Sequence, residues 1–152
     1  MKQKPFTLAQ AMEKARRYCV YQDRCQAEVR RKLADWGFTG DDADQIIVQL
    51  ISEDFINEER FAKSFARGKF RIKHWGKIKI KYELQKREIS DYCIQKGLEE
   101  IDADEYFQTL CKLIEKEKEY LADYELTQKL IRKLYNKGYE YELIRNAIEQ
   151  IK

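Results

Sequence analysis

The sequence predicts an all-α protein, built as three tandem three-helix repeats in a curved, elongated array. Three observations carry this prediction. First, the 152 residues hold one proline (Pro5) and six glycines, with abundant Lys, Glu, Leu, Ile, Ala and Gln. Those straight-chain residues lose little rotamer freedom in a helix. Second, one motif recurs three times at near-equal spacing. Third, the apolar residues of the last segment follow a helical period.

The motif reads Val29-Arg-Arg-Lys-Leu33 with Gly37-Phe38, then Ile80-Lys-Tyr-Glu-Leu84 with Glu88-Ile89, then Leu130-Ile-Arg-Lys-Leu134 with Gly138-Tyr139. In each copy the first apolar residue and the leucine four positions on share one helix face. Gly37 and Gly138 then stand where a helix C-terminus favours a left-handed residue. Phe38 and Tyr139 can fold back over the last turn. Glu88 replaces the glycine in the middle copy, which predicts a less ideal or differently shaped turn there.

Around this motif each repeat has three helices. A long one leads, at about 7–21, 58–74 and 103–121, with Thr7 as the first N-cap. The motif helix follows, near 23–36, 77–87 and 124–137. A shorter helix closes each repeat, near 41–53, 90–99 and 140–151, with starts at Thr39-Gly40-Asp41 and Ser90. Tyr141, Leu143, Ile144, Ala147, Ile148 and Ile151 give the last one its apolar stripe. The repeats therefore divide as 1–56, 57–102 and 103–152. Lys77-Ile78-Lys79-Ile80-Lys81-Tyr82 alternates as a strand would. The repeat register overrides that pattern and predicts helix.

A hydrophobic fraction of 43% is enough for packed cores, even with 38% charged residues. No stretch approaches the roughly 18 apolar residues of a membrane span. The N-terminus, Met1-Lys2-Gln3-Lys4-Pro5-Phe6, is too polar to lead a signal peptide. Cys19, Cys25, Cys93 and Cys111 form no Cys-x-x-Cys pair. Free, mostly buried thiols in a cytoplasmic protein are expected, although four cysteines could make two disulfides in a secreted one.

Enzymatic signatures are missing. His74 is the only histidine, which leaves no histidine cluster for a metal and a single residue for any triad. The scattered glycines make no phosphate loop. Asp41, Asp42 and Asp44 lack the spacing of a calcium loop and suit a helix start instead. A non-enzymatic protein with no cofactor and no metal is expected.

Charge is strongly segregated behind a net +3. The balance is +5 over residues 1–36, −7 over 37–59, +10 over 60–87 and −5 over 88–152. Residues 60–87 hold eleven bases and one acid, Glu83. Arg60, Lys63, Arg67 and Arg71 fall on one helical stripe, with Phe61, Phe65 and Ile72 about 100° away at a spacing suited to burial. Lys69, Lys73, Lys77, Lys79, Lys81, Lys86 and Arg87 extend the block. An ordinary solvated face mixes both signs, and this one does not. Such a surface suits DNA phosphates or an acidic protein groove. Trp75 inside it is a core or hinge residue or, alternatively, an aromatic contact for a base. Trp36 is expected in a core. The acidic residues from Glu53 to Glu59 either form a solvated loop or shield the block.

Phe55-Ile56-Asn57-Glu58-Glu59-Arg60-Phe61-Ala62, then Gly76 and Lys77 through Glu83-Leu84, resembles the central signature of RecX regulators. Glu28-Val29 through Lys32-Leu33 with Gly37-Phe38 resembles the family's first repeat. The likeness extends over about residues 7–152 in motif order, spacing and length. Two departures stand out. Arg87-Glu88-Ile89 replaces the family's usual Lys-Gly-Ile, and Glu28-Val29 its usual Glu-Leu. The resemblance implies a cytoplasmic, monomeric protein that binds the RecA–DNA filament and limits its recombinase and coprotease activities. The residues named for contact are Arg60, Lys63, Arg67, Lys69, Arg71, Lys73, Lys77, Lys79, Lys81 and Arg87. Stand-alone DNA binding through the same block, or a scaffold with an incidental basic face, are the competing readings.

Overall fold

A computed structural model describes residues 6–152, so the polar stretch at 1–5 lies outside the described residues. Among them the chain forms nine α-helices and no strand. They are α1 (Leu8–Tyr21), α2 (Gln26–Asp35), α3 (Gly40–Ser52), α4 (Glu58–Lys73), α5 (Lys77–Lys86), α6 (Asp91–Leu98), α7 (Ala103–Glu115), α8 (Tyr124–Asn136) and α9 (Tyr141–Ile151). The all-α, three-by-three order is as predicted, and the alternating segment at 77–82 is helix. Its Ile80 and Leu84 are fully buried.

Local chemistry sets the ends. Thr7 accepts a hydrogen bond from the Gln10 amide, and the Gln10 side chain accepts one from the Thr7 amide, a reciprocal cap. The side chains of Ser90, Asn57 and Asp102 cap α6, α4 and α7 one way, accepting the amides of Cys93, Arg60 and Glu105. Two ends differ from expectation. Helix α2 begins at Gln26, because Cys25 is its N-cap and the Glu28 carboxylate accepts the Cys25 amide. Helix α7 stops at Glu115, and a short 3-10 helix (Lys118–Ala122) follows. Past Ile114 the residues are charged up to Tyr120. A bend is needed to return Tyr120 and Leu121 to the core they pack against.

The three motif turns share one shape. Leu33, Leu84 and Leu134 carbonyls accept the amides of Phe38 (2.8 Å), Ile89 (3.2 Å) and Tyr139 (3.1 Å). The preceding residues, Gly37, Glu88 and Gly138, all have positive φ (87°, 60° and 111°). Of the two expectations for the middle turn, a different shape does not occur, whereas a less ideal turn does. The repeat geometry prevails, and Glu88 adopts a left-handed conformation that costs an L-residue about 1–2 kcal/mol. Glu88→Gly is expected to raise stability by about 0.5–1 kcal/mol after the extra entropy of an unfolded glycine is subtracted. A urea midpoint that falls instead would show that the Glu88 side chain stabilises the turn.

The repeats do not pack as equals. The first has its own core, with Ala11, Ala15, Val29, Leu33, Phe38, Ile46 and Leu50 at its centre. The second and third share one core, in which Phe61, Phe70, Ile80 and Leu84 meet Tyr106, Leu110, Leu130, Leu134 and Ile144. Trp36 is half-buried against the first core and meets Phe6 edge-on at 5.8 Å.

Between the second and third repeats, backbone meets backbone. The Gly76 amide donates to the Lys137 carbonyl (2.9 Å) and the Ile78 amide to the Gly138 carbonyl (2.9 Å). A Cβ built on Gly76 would lie 2.1 Å from the Gly138 carbonyl carbon. Tyr139 donates its hydroxyl to the His74 carbonyl at 2.7 Å. The buried Tyr106 hydroxyl accepts the Lys77 amide (2.9 Å) and donates to Glu140 (2.5 Å). Burial and that carboxylate push the phenol well above its ordinary range, so it stays a donor.

The joint between the first and second repeats is polar. Arg60 donates to Asp23 (3.0 Å), to Asp54 (3.1 Å) and to the Asp54 carbonyl (2.9 Å). Hydrogen bonds from Asn57 first, then the Arg60 charge, hold the Asp54 carboxyl below its usual range. Cys25 is the first repeat's buried contribution to the shared core. All four cysteines are free; burial pushes the Cys19 thiol up to about 11 and that of Cys25 up to about 12. Among the described residues, no helix is long and apolar enough to cross a membrane.

Candidate polyanion-binding surface

The cationic block occupies α4 and α5, and the structure divides it into two parts. Along the predicted stripe, three of the four cations are engaged by acids. Arg60 is held by Asp23 and Asp54, Lys63 by Glu59 (3.1 Å) and Arg67 by Glu100 (2.5 Å). Lys86 pairs with Glu83 at 3.0 Å. The acidic stretch before α4 therefore does partly neutralise the block, at its N-terminal end. Arg60 in particular is a joint residue, with its guanidinium fork committed to the fold.

The remaining candidates lie toward the C-terminal half of α4 and along α5. Among the described residues, Lys69, Arg71, Lys73, Lys77, Lys79, Lys81 and Arg87 make no ion pair. Arg71, Lys73 and Lys81 are exposed, and the other four are half-buried. Arg71 and Lys73 sit in the last turn of α4, where cations favourably meet the helix dipole. Lys77, Lys79 and Lys81 are in the opposite situation. They begin α5, whose first turn holds no acid. Its leading amides already bind the Tyr106 hydroxyl and the Gly138 carbonyl. Cations beside the positive end of a helix repel it, and an anion placed among them would relieve that repulsion.

Aromatic rings hold several of these cations in place. Trp75 is half-buried and lies edge-on to Phe65 at 6.3 Å. The ammonium groups of Lys69 and Lys79 stand 5.0 and 4.5 Å from its ring centroid. In this arrangement Trp75 positions two lysines and presents no open stacking platform. The Arg87 guanidinium lies 4.9 Å from the Phe65 centroid and donates to the Glu83 carbonyl at 2.9 Å. Lys77 is over Tyr106 at 4.9 Å. Each contact restricts a flexible cation at a gain of about 0.5–1 kcal/mol, and so reduces the entropy lost when the cation is bound.

One predicted core residue is elsewhere. Phe61 is buried and Phe65 half-buried, whereas Ile72 is 76% exposed. It lies at the mouth of a groove of about 340 Å³, between the α1–α2 connection on one side and α4 on the other. Phe61, Phe65, Gly68, Lys69 and Lys73 of α4 line this groove, with Arg87 from the end of α5. Gln22, Asp23 and Glu28 face them from the first repeat. Sequence reasoning missed the groove because its two walls come from different repeats.

Comparison with known proteins gives one consistent result. Models described as the first, second and third three-helix domains of RecX match residues 11–50, 57–98 and 104–148. A "Regulatory protein RecX" from Clostridium perfringens (strain 13 / Type A) is 32% identical over 133 residues, covering 84% of this chain and 62% of the relative. One from Prosthecochloris aestuarii is 26% identical over 142 residues and 93% of each chain. The chain thus spans about three fifths of the Clostridium relative and nearly all of the other. The crystal structure of RecX from Lactobacillus salivarius superposes with a TM-score of 0.82 at 28% identity, covering 94% of this chain and 95% of that one. Three matched domains in order, on the three-helix repeats described above, place this chain in the RecX family.

Proposed function

We propose that this chain is a regulator of RecA that binds the RecA–DNA filament, as a monomer in the cytoplasm, and restrains its recombinase and coprotease activities. The single observation that carries the reading is the set of seven cations without acidic partners on α4 and α5. A surface that leaves so many like charges unpaired is built for a polyanion. DNA phosphates, or acidic faces of filament subunits, are the anions such a filament offers. Restraint would follow from linkage, since a ligand that prefers one filament state shifts the population toward it.

The test uses RecA on single-stranded DNA, with ATP hydrolysis and filament disassembly as readouts. The charge-reversed variant Arg71→Glu/Lys73→Glu/Lys81→Glu changes exposed residues that pair with no acid, so its thermal midpoint should stay close to that of the wild type. It should lose at least tenfold in filament affinity, in proportion to the phosphate contacts removed. An unchanged effect on ATP hydrolysis would remove α4–α5 from the interface. Tight, steeply salt-dependent DNA binding with no response from RecA would favour the stand-alone DNA-binding reading.

A further inference from the structure

We infer that the groove between the first and second repeats receives one unstacked base of single-stranded nucleic acid, with the flanking phosphates on Lys69, Lys73 and Arg87. The inference rests on reading the basic surface as facing nucleic acid, and adds a strand preference to it.

Gly68 is the first observation. It sits inside α4, where glycine is the least favourable residue after proline. Elsewhere in the second repeat glycine allows close packing: a Cβ on Gly97 would lie 2.6 Å from the Ala62 carbonyl oxygen, and one on Gly76 would strike Gly138. At Gly68 a Cβ would meet nothing within 4 Å. No contact within the protein accounts for this glycine. Its effect is to keep the groove wall open.

Ile72 is the second. One turn on from Gly68, it is 76% exposed at the groove mouth, between the exposed cations Arg71 and Lys73. It adds an exposed apolar side chain beside the half-buried Phe65, whose ring carries Arg87 and Lys69 at 4.9 and 5.4 Å. Arg87, held over Phe65 and by the Glu83 carbonyl, adds a fixed guanidinium, a group on which bases stack readily.

Charge placement selects the occupant. Lys69, Lys73 and Arg87 line the groove together with Asp23 and Glu28, acids that also bind Arg60 and the Cys25 amide. An acidic peptide laid along the groove would press its carboxylates against these two acids. A nucleotide keeps its charge on the phosphate, away from a neutral base whose N–H donors suit carboxylate acceptors. A duplex keeps its bases stacked inside and has none to offer.

The test measures anisotropy of the full-length chain with three labelled probes: an oligothymidylate, the same length of abasic strand, and a duplex. The oligothymidylate is expected to bind at least about fivefold tighter than the abasic strand, the lower end of the roughly 5- to 150-fold range of one base stacked on a protein surface. Gly68→Leu fills the groove without touching the backbone and replaces a poor helix former with a good one, so it folds. It should abolish the preference while keeping the abasic affinity and its salt dependence. Equal binding of natural and abasic strands, or a preference that survives Gly68→Leu, overturns the inference and leaves the phosphate-binding reading intact. Failure to bind any strand overturns both. A phenylalanine-bearing acidic peptide that binds wild type but not Gly68→Leu, with no base preference, assigns the groove to a protein partner and also overturns it.

Discussion

Gly76→Ala is expected to destabilise the protein by about 3–5 kcal/mol, more than overpacking alone, because backbone hydrogen bonds are lost with it. The added methyl would lie 2.1 Å from the Gly138 carbonyl carbon and 2.4 Å from the Tyr139 nitrogen. Neither is the end of a flexible side chain, so the two repeats must separate. Separation breaks the Gly76–Lys137 and Ile78–Gly138 hydrogen bonds and leaves α5 without its N-terminal partners. Urea unfolding gives the magnitude, and hydrogen exchange should show the Ile78 and Tyr139 amides losing protection first. A loss below about 1 kcal/mol would mean the repeats can slide apart at little cost. The effect would also reach function, because this docking fixes where Lys77 and Lys79 stand.

Arg60→Ala should cost about 2 kcal/mol, with the loss confined largely to the first repeat. The substitution leaves Asp23, Asp54 and a backbone carbonyl without their shared donor. The Arg60 side chain is 39% exposed, so water compensates part of the loss. Lysine should not rescue it, since a single ammonium cannot replace three contacts made by a planar fork. The first repeat has a separate core, so hydrogen exchange should accelerate in α1–α3 and change little in α5–α9. Uniform loss of protection across all nine helices would show instead that the array unfolds as one unit.

Much of the fold was legible because the features that specify it are local. The i, i+4 apolar pairs, the Gly37 and Gly138 turns and the Thr7 and Ser90 caps each act within a few residues. Glu88 costs its turn stability but not its shape, because repeat geometry overrode a local preference worth only about 1–2 kcal/mol. The site was legible in sign but not in detail. Eleven bases in 28 residues announce a cationic surface, and the Glu59–Lys63 pair is visible at helical spacing. The Arg67–Glu100 and Arg60–Asp23 pairs span 33 and 37 positions, and only folding brings them together. Burial of Ile72 was predicted from its place on a helical wheel. A wheel shows which residues share a face, but not whether a neighbouring repeat covers it.

The Gly76–Gly138 contact also limits how such a chain can grow or be rearranged. Chains made of repeats usually lengthen by duplication, since each unit offers its successor the same surface. Here the left-handed turn of the third repeat is taken up by the start of α5 in the second, and the first repeat's turn at Gly37 remains exposed. A fourth copy inserted between the second and third would separate the two glycines, and exchanging the first repeat for the third would bring Gly37 to that turn without the Tyr139 and Glu140 side chains that bond around it. This chain's sequence is periodic, but its assembly is an interlocked pair with an attached arm. Shuffling the repeats would therefore yield chains that keep every motif and lose the interlock.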